Sequence, residues 1–122
     1  MTVIRLLVTG GRNYANATRL NAVLDAVHRK HAIEVLIEGE CPSGGADKLA
    51  RLWAESRGVP VDPCPVDHEL DGPWPGAGPR RNERMYVEKK PTHGVSFDGG
   101  PGTANMVGIM KQAGVPVWEI EG

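Results

Sequence analysis

Aromatic residues, cysteines and long apolar runs are all scarce in this chain of 122 residues. Only 5% of the residues are aromatic, and the two cysteines, Cys41 and Cys64, lack the spacing of a metal site. Two such thiols exclude a disulfide framework and favour a reducing compartment. The first apolar run, Val3 to Val8, is too short for a membrane span or a signal sequence. We therefore expect a cytoplasmic protein without a membrane partner.

The chain also has no excess of charge of either sign. Its 14 Lys and Arg residues against 15 Asp and Glu residues give a formal net charge of -1. Domains that bind nucleic acid usually carry a strongly basic patch, so this balance disfavours nucleic acid as a partner. The length and the hydrophobic fraction of 40% suit one globular domain over residues 1–122, with a core that needs no disulfide or structural metal ion.

Short apolar runs alternate along the chain with segments of helical periodicity. Strands are predicted at 3–8, 33–37, 59–61, 95–97 and 115–120, and helices begin near 18, 46, 79 and 103. Strands separated by helices imply parallel pairing with right-handed crossovers. The prediction is an α/β, Rossmann-like three-layer sandwich around a five-stranded, mainly parallel sheet of order 3-2-1-4-5. Trp53 is predicted to lie in its core, and Cys41 and Cys64 at one edge of the sheet.

A proline-rich segment, residues 62–79, separates the third strand from the third helix. Its five prolines predict irregular structure up to about Arg80, and a segment of this length is a candidate lid. The run Asp67, His68, Glu69 and Asp71 is interpreted as solvated side chains, because acidic runs in exposed loops rarely bind metal. No metal site and no cofactor are predicted.

A glycine-dense turn at residues 98–102 follows the fourth strand and opens the last helix. Gly99, Gly100 and Gly102 have no Cβ to keep a ligand from the backbone, and Thr103 is a candidate helix cap. The unpaired N–H groups of a first helical turn suit a phosphate.

Ligands of such sheets bind beyond the carboxyl ends of the strands, where the winding reverses. The loops after strands one, two and four meet there, which predicts a site for a nucleotide-like small molecule. Gly10-Gly11 lacks the complete dinucleotide fingerprint. The predicted ligand-binding residues are Gly10, Gly11, Arg12, Gly45, Asp47, Arg81, Asn82, Gly99, Gly100, Gly102 and Thr103.

Two of these residues carry charges whose roles have alternatives. Asp47 lies in a first helical turn, where it either caps the helix or contacts a ligand hydroxyl. Arg80 and Arg81 are placed at a helix start, which is unfavourable for cations unless an anion is near. We expect Arg81 to face a ligand phosphate, whereas Arg80 is equally well explained as a solvated side chain.

Four motifs occur in the order seen in a known family. The chain resembles the SLOG superfamily, in particular its YspA/cpYpsA-related branch, and is distantly similar to the LOG phosphoribohydrolases and DprA. The motifs are Thr9-Gly10-Gly11-Arg12, Gly45-Ala46-Asp47-Lys48-Leu49-Ala50 with Trp53-Ala54, Gly78-Pro79 with Arg81-Asn82 and Met85, and Gly99-Gly100-Pro101-Gly102-Thr103. The resemblance implies the Rossmann-like fold and places Arg81 and Asn82 in the family pattern.

The resemblance leaves enzymatic activity open. In the LOG hydrolases the glycine motif continues to a glutamate that helps to cleave an N-glycosidic bond, and here that position is Met106. A thioether cannot transfer a proton, so the first hypothesis is a nucleotide-binding module or sensor. The alternative is a nucleotide or nucleoside N-glycosidase with a relocated carboxylate, from Glu40, Asp47 or Asp98. DprA-like DNA binding is a third hypothesis, and a homo-oligomer is left open.

Overall fold

Five parallel strands form one sheet of order β3-β2-β1-β4-β5, as predicted. The computed structural model describes residues 2–122. The strands are β1 (Thr2–Thr9), β2 (His31–Glu38), β3 (Val61–Pro63), β4 (His93–Ser96) and β5 (Val117–Glu119). The helices are α1 (Ala17–Lys30), α2 (Gly45–Arg57), α3 (His68–Asp71), α4 (Ala77–Lys89) and α5 (Pro101–Gln112). No helix within residues 2–122 has both the length and the apolarity to cross a membrane.

Both faces of the sheet are covered, which confirms the three-layer sandwich. Alternate residues of β1 point to opposite sides, as strand geometry requires. Leu6 packs in one core cluster with Leu24 of α1 and Trp53 of α2, whereas Leu7 packs in the other with Met85 of α4 and Met106 of α5. Trp53 is 2% exposed, so its predicted place in the core is confirmed.

The proline-rich segment is more ordered than predicted. α3 lies within it, with Asp67 as its cap accepting a hydrogen bond from the Glu69 N–H at 2.9 Å. The third strand lies at 61–63 rather than 59–61, and α4 begins at Ala77, two residues before Pro79. Proline is tolerated in the first helical turn because the N–H groups there have no intrahelical partner. The prediction of irregular structure up to Arg80 was therefore wrong.

Cys41 and Cys64 follow the neighbouring strands β2 and β3, at the same edge of the sheet. The backbone N–H of Cys64 donates to the carbonyl of Glu38 at 2.8 Å, which extends the β2–β3 pairing beyond the strands. Both thiols are free, Cys64 is buried and Cys41 is partly exposed. The two cysteines thus lie at the edge that the strand order predicts.

Candidate functional site

A cleft of about 830 Å³ lies at the carboxyl ends of β1 and β4, where the winding of the sheet reverses. The loops after β1 and β4 and the start of α4 form its walls. All the predicted ligand-binding residues line it except Gly45. Clefts of this size at this place in an open α/β sheet are typical small-molecule sites.

The loop after β1 is fixed by its neighbours through both backbone groups of Gly11. The N–H of Gly11 donates to the carbonyl of Asp98 at 2.9 Å, and its carbonyl accepts from the N–H groups of Tyr14 and Ala46, both at 3.1 Å. Gly45 has a positive φ of 62° and lies so close to Gly11 and Arg12 that a side chain would clash there. Gly45 therefore packs behind the first loop, which it helps to hold in place.

The start of α5 leaves backbone donors unpaired at the cleft. Gly100 is the N-cap residue, Pro101 occupies the first turn, and the first helical hydrogen bond runs from the Ala104 N–H to the Gly100 carbonyl. The N–H groups of Gly102 and Thr103 find no acceptor within residues 2–122. A Cβ at Gly102 would have nothing within 4 Å, so the approach is open. These are the groups that bind anions at helix starts.

Thr103 does not cap α5, contrary to the prediction. The helix begins at Pro101, so Thr103 is its third residue, and no side chain makes a capping hydrogen bond. Proline favours the first helical position because its φ is already fixed near the helical value, which explains the earlier start. Thr103 still lines the cleft.

Arg81 lies in the cleft wall, held by backbone carbonyls. Its Nη1 donates to the carbonyl of Gly39 at 2.6 Å and to that of Cys64 at 3.1 Å, while Nε donates to Oδ1 of Asn82 at 3.1 Å. Nη2 makes no hydrogen bond to any of the described residues 2–122. The guanidinium therefore bridges the loops after β2 and β3 and keeps one donor group uncommitted.

Asn82 connects this arginine to the start of α5. The side chain is buried, and its Nδ2 donates to the Gly102 carbonyl at 3.3 Å and to Oδ1 of Asn105 at 2.9 Å. Since all three interactions are internal, Asn82 acts as a positioning residue for Arg81 and for the first turn of α5.

Arg80 and Asp71 both make structural contacts, but Arg80 remains exposed, whereas Asp71 is buried and was expected to be solvated. Arg80 donates to the carbonyl of Asp71 and, at 3.1 Å, to that of Pro73, so it ties α4 to the proline-rich segment. Asp71 is 1% exposed and pairs with Arg84, so the interpretation of the acidic run as solvated was wrong for this residue. Both arginines, 80 and 81, lie just beyond the first turn of α4, which begins at Ala77.

Asp47 is a buried carboxylate in the wall of the cleft. Its Oδ2 accepts from the Cys41 N–H at 3.1 Å, so the side chain holds the loop after β2 and does not cap α2. Burial raises the pKa of Asp47 to about 6, although its hydrogen bond from Cys41 and the charge of Arg81 oppose the shift. A carboxyl group that titrates near neutral pH can transfer protons.

Glu38, at the end of β2, is a buried acid that the sequence reading missed. Oε2 accepts from the Glu40 N–H, while Oε1 is buried and has no hydrogen-bond partner among the described residues. Burial raises the pKa of Glu38 to about 7. The side chain lines a second cavity of about 550 Å³, beside Lys48 and Arg51. The signal in the sequence was an acidic residue directly after the apolar run 35–37.

Two aromatic side chains in the cleft were also missed. Tyr14 lines the wall beside the first loop, and its hydroxyl donates to the Gly122 carbonyl at 2.9 Å. Trp74 also lines the wall and is 61% exposed. In a chain with so few aromatic residues, a tryptophan among prolines and glycines was the available signal.

The remaining candidates for a relocated carboxylate lie in different settings. Asp98 lines the cleft and accepts from the Gly122 N–H at 3.1 Å, whereas Glu40 faces the second cavity and has a positive φ of 50°. Met106 is 0% exposed in the core, as its place on the apolar helix face predicts. No group of three or more His, Cys, Asp or Glu side chains within residues 2–122 is placed to hold a metal ion.

The sequence of the first half of the chain identifies the family. Residues 4–70, more than half of the chain, match the model of the YspA, cpYpsA-related SLOG family. The chain belongs to this SLOG family. No match to a curated protein reaches significance. The part that matches the YspA-related model includes Gly11, Arg12 and Asp47, while Arg81 and the start of α5 lie beyond it and join the cleft through the fold.

Proposed function

We propose that this SLOG-family protein binds a phosphate-bearing small molecule, a nucleotide or nucleoside derivative, in the cleft. The observation that carries the proposal is the pair of unpaired N–H groups at Gly102 and Thr103, which open onto the same cleft as Arg81. Aligned backbone donors at a helix start and a guanidinium are both well suited to binding phosphate. The cleft volume of about 830 Å³ suits a ligand of nucleotide size.

The support for a small ligand rather than a nucleic acid comes from charge. The chain has a formal net charge of -1, and the cleft wall itself contains both Asp47 and Asp98. A polyanion would gain no general attraction from this surface. One phosphate at the start of α5 needs only the local donors described above.

Asp47 supports a second candidate, an N-glycosidase acting on the same ligand. In that reaction water adds to the anomeric carbon, the N-glycosidic bond breaks, and a general acid protonates the departing base. Asp47 lines the cleft and has a pKa of about 6, so near neutral pH it can donate or accept this proton. The glutamate of the LOG hydrolases is replaced by Met106, which is buried in the core.

Calorimetric titration with AMP, GMP, CMP, UMP and ribose 5-phosphate tests binding, and chromatography of the same mixtures tests for release of free base. Saturable binding without base release supports a binding module. Base release that Asp47→Asn abolishes, while binding persists, supports the N-glycosidase. If neither binding nor turnover is detected with any of these compounds, the proposed function is wrong.

A further inference from the structure

Trp74 is an exposed aromatic side chain on the wall of the cleft. It is 61% exposed, whereas Trp53 is 2% exposed in the core and Trp118 is 36% exposed on β5. A tryptophan left in water forgoes the burial that usually stabilises large apolar side chains. Its exposure leaves an aromatic face accessible to a ligand in the cleft.

The backbone around Trp74 is held in place from α4. Arg80 donates to the carbonyl of Pro73, directly before the tryptophan, and to that of Asp71. The indole lies beside Gly78, where a Cβ would be 3.6 Å from the ring atom Cζ3. The ring of His68 meets it edge-on, with ring centroids 5.4 Å apart and planes at 75°. These contacts fix the ring without covering it.

The position of the ring relates it to the phosphate site. Trp74 lines the same cleft as Gly102, Thr103 and Arg81. A ligand whose phosphate lies at the start of α5 must place the rest of its atoms along this cleft. The volume of the cleft can hold a second, bulkier group in addition to the phosphate. The exposed aromatic surface favours a second group that is flat and aromatic.

We infer that Trp74 is a stacking platform for the heteroaromatic base of the ligand, which makes the ligand class nucleotides rather than sugar phosphates. This inference rests on the proposed function, because it assumes a phosphate at Gly102 and Thr103. Stacking on an aromatic side chain tolerates any base, since every base has a π-face. Removal of such a platform typically weakens binding by roughly 5- to 150-fold.

The test compares AMP with ribose 5-phosphate, which carries the same phosphate and sugar but no base. The wild-type protein should bind AMP more tightly, and Trp74→Ala should weaken AMP by about tenfold or more while leaving ribose 5-phosphate unchanged. Trp74→Phe should retain most of the AMP affinity. Trp118→Ala is the matched control, because Trp118 lies outside the cleft wall, against His93.

Fluorescence gives a second measurement on the same proteins. AMP should quench tryptophan emission in the wild type and in Trp118→Phe, and the quenching should disappear in Trp74→Phe. Equal wild-type affinity for AMP and ribose 5-phosphate would overturn the platform and leave phosphate binding intact. Unchanged AMP affinity in Trp74→Ala, or equal weakening of both compounds, would do the same. Absence of binding by every phosphorylated compound would overturn the proposed function together with the platform.

Discussion

Arg84 and Asp71 form a bidentate salt bridge between α4 and the end of α3. Nε donates to Oδ1 at 2.9 Å and Nη2 donates to Oδ2 at 2.8 Å, which is the bidentate geometry of the strongest charge-assisted contacts. The Asp71 side chain is 1% exposed and that of Arg84 is 18% exposed. The pair therefore fastens the proline-rich segment to the body of the domain, so this segment is not free to swing as a whole.

Asp71→Ala should lower the free energy of unfolding by about 3 kcal/mol, because it leaves the Arg84 charge partly buried without a partner. Lys111→Ala is the control, since its partner Glu119 lies 2.6 Å away in a pair that is more than half exposed. That change should cost less than about 1 kcal/mol. Urea unfolding at pH 7 measures both, and equal small losses would contradict the structural role of Asp71.

The same pair predicts the acid limb of the stability curve. The hydrogen bonds from Arg84 hold the pKa of Asp71 at about 2, below the usual value of 3.8. A depressed pKa stabilises the folded state above the unfolded pKa, and this contribution is lost as the pH falls from about 4 towards 2. Urea midpoints of the wild type should fall across this window, and those of Asp71→Asn should fall less.

Glu38 predicts the opposite trend at neutral pH. Burial raises its pKa from 4.5 to about 7, so the folded state binds a proton that the unfolded state releases. Stability from this group is complete below pH 4.5 and is lost as the pH rises through 7. Glu38→Gln should match the wild type at pH 5 and exceed its unfolding free energy at pH 8, by on the order of 2 kcal/mol.

Glu34→Gln is the matched control, because Glu34 is an exposed acid on the same strand. As an exposed change, it should alter the free energy of unfolding by less than about 1 kcal/mol. Burial lowers the pKa of His93, so this histidine also contributes to the pH dependence of stability. Its contribution cancels when each variant is compared with the wild type at the same pH. If the free energy of unfolding of Glu38→Gln ran parallel to that of the wild type between pH 5 and 8, the raised pKa of Glu38 would be refuted.

The strands and the glycine loops were predictable from local patterns, and the order of the sheet followed from the usual topology of doubly wound α/β folds. Apolar runs between helical periods fix a parallel sheet, and Gly100 and Gly102 mark a turn by composition alone. The pairing of Arg84 with Asp71 was not predictable, because it joins residues across a proline-rich segment that local periodicity describes as irregular. The orphaned oxygen of Glu38 and the exposed face of Trp74 depend on what packs around them, which no spacing in the sequence records.

Gly102→Val should abolish AMP binding while the protein stays folded. A Cβ at Gly102 meets nothing within 4 Å, so the valine fits the protein and fills the approach to the helix start. Gly108→Val is the control, because Gly108 lies further along α5 and its Cβ position is equally open. Calorimetry measures affinity, and circular dichroism with thermal melting verifies the fold. Unchanged AMP affinity in Gly102→Val would exclude this anion site.

Arg81→Ala should weaken AMP by roughly ten- to a hundredfold and leave adenosine nearly unchanged, because a charge-assisted contact with phosphate contributes about 1.5–3 kcal/mol. Arg81→Lys should recover only part of the loss, since the single nitrogen of an ammonium cannot reproduce the planar fork in which Nη1 holds the Gly39 and Cys64 carbonyls while Nη2 stays free for a phosphate. Titrations with AMP and adenosine measure the difference. Equal weakening of the two ligands would assign Arg81 to shaping the cleft alone.

The two thiols should react at very different rates. Cys41 is partly exposed and lines the cleft, whereas Cys64 is 1% exposed and burial raises the pKa of its thiol. Ellman's reagent should therefore modify one thiol rapidly and the second only on unfolding, and Cys41→Ser should remove the rapid phase. Saturating AMP should slow the reaction of Cys41. Two rapid thiols in the native protein would contradict the burial of Cys64.

The cleft takes its walls from stretches of chain that are far apart in sequence, from Gly10 through Asp47 and Arg81 to Thr103. The cleft therefore exists only when the whole sheet is folded. A ligand bound there would contact both the first and the second half of the domain and hold them together. Because the ligand binds only the folded state, a free ligand concentration of a hundred times the dissociation constant raises the free energy of unfolding by about 2.7 kcal/mol. That gain would be shared by β1 and β4 alike, so hydrogen exchange should slow across the whole sheet and not just in the loops that touch the ligand.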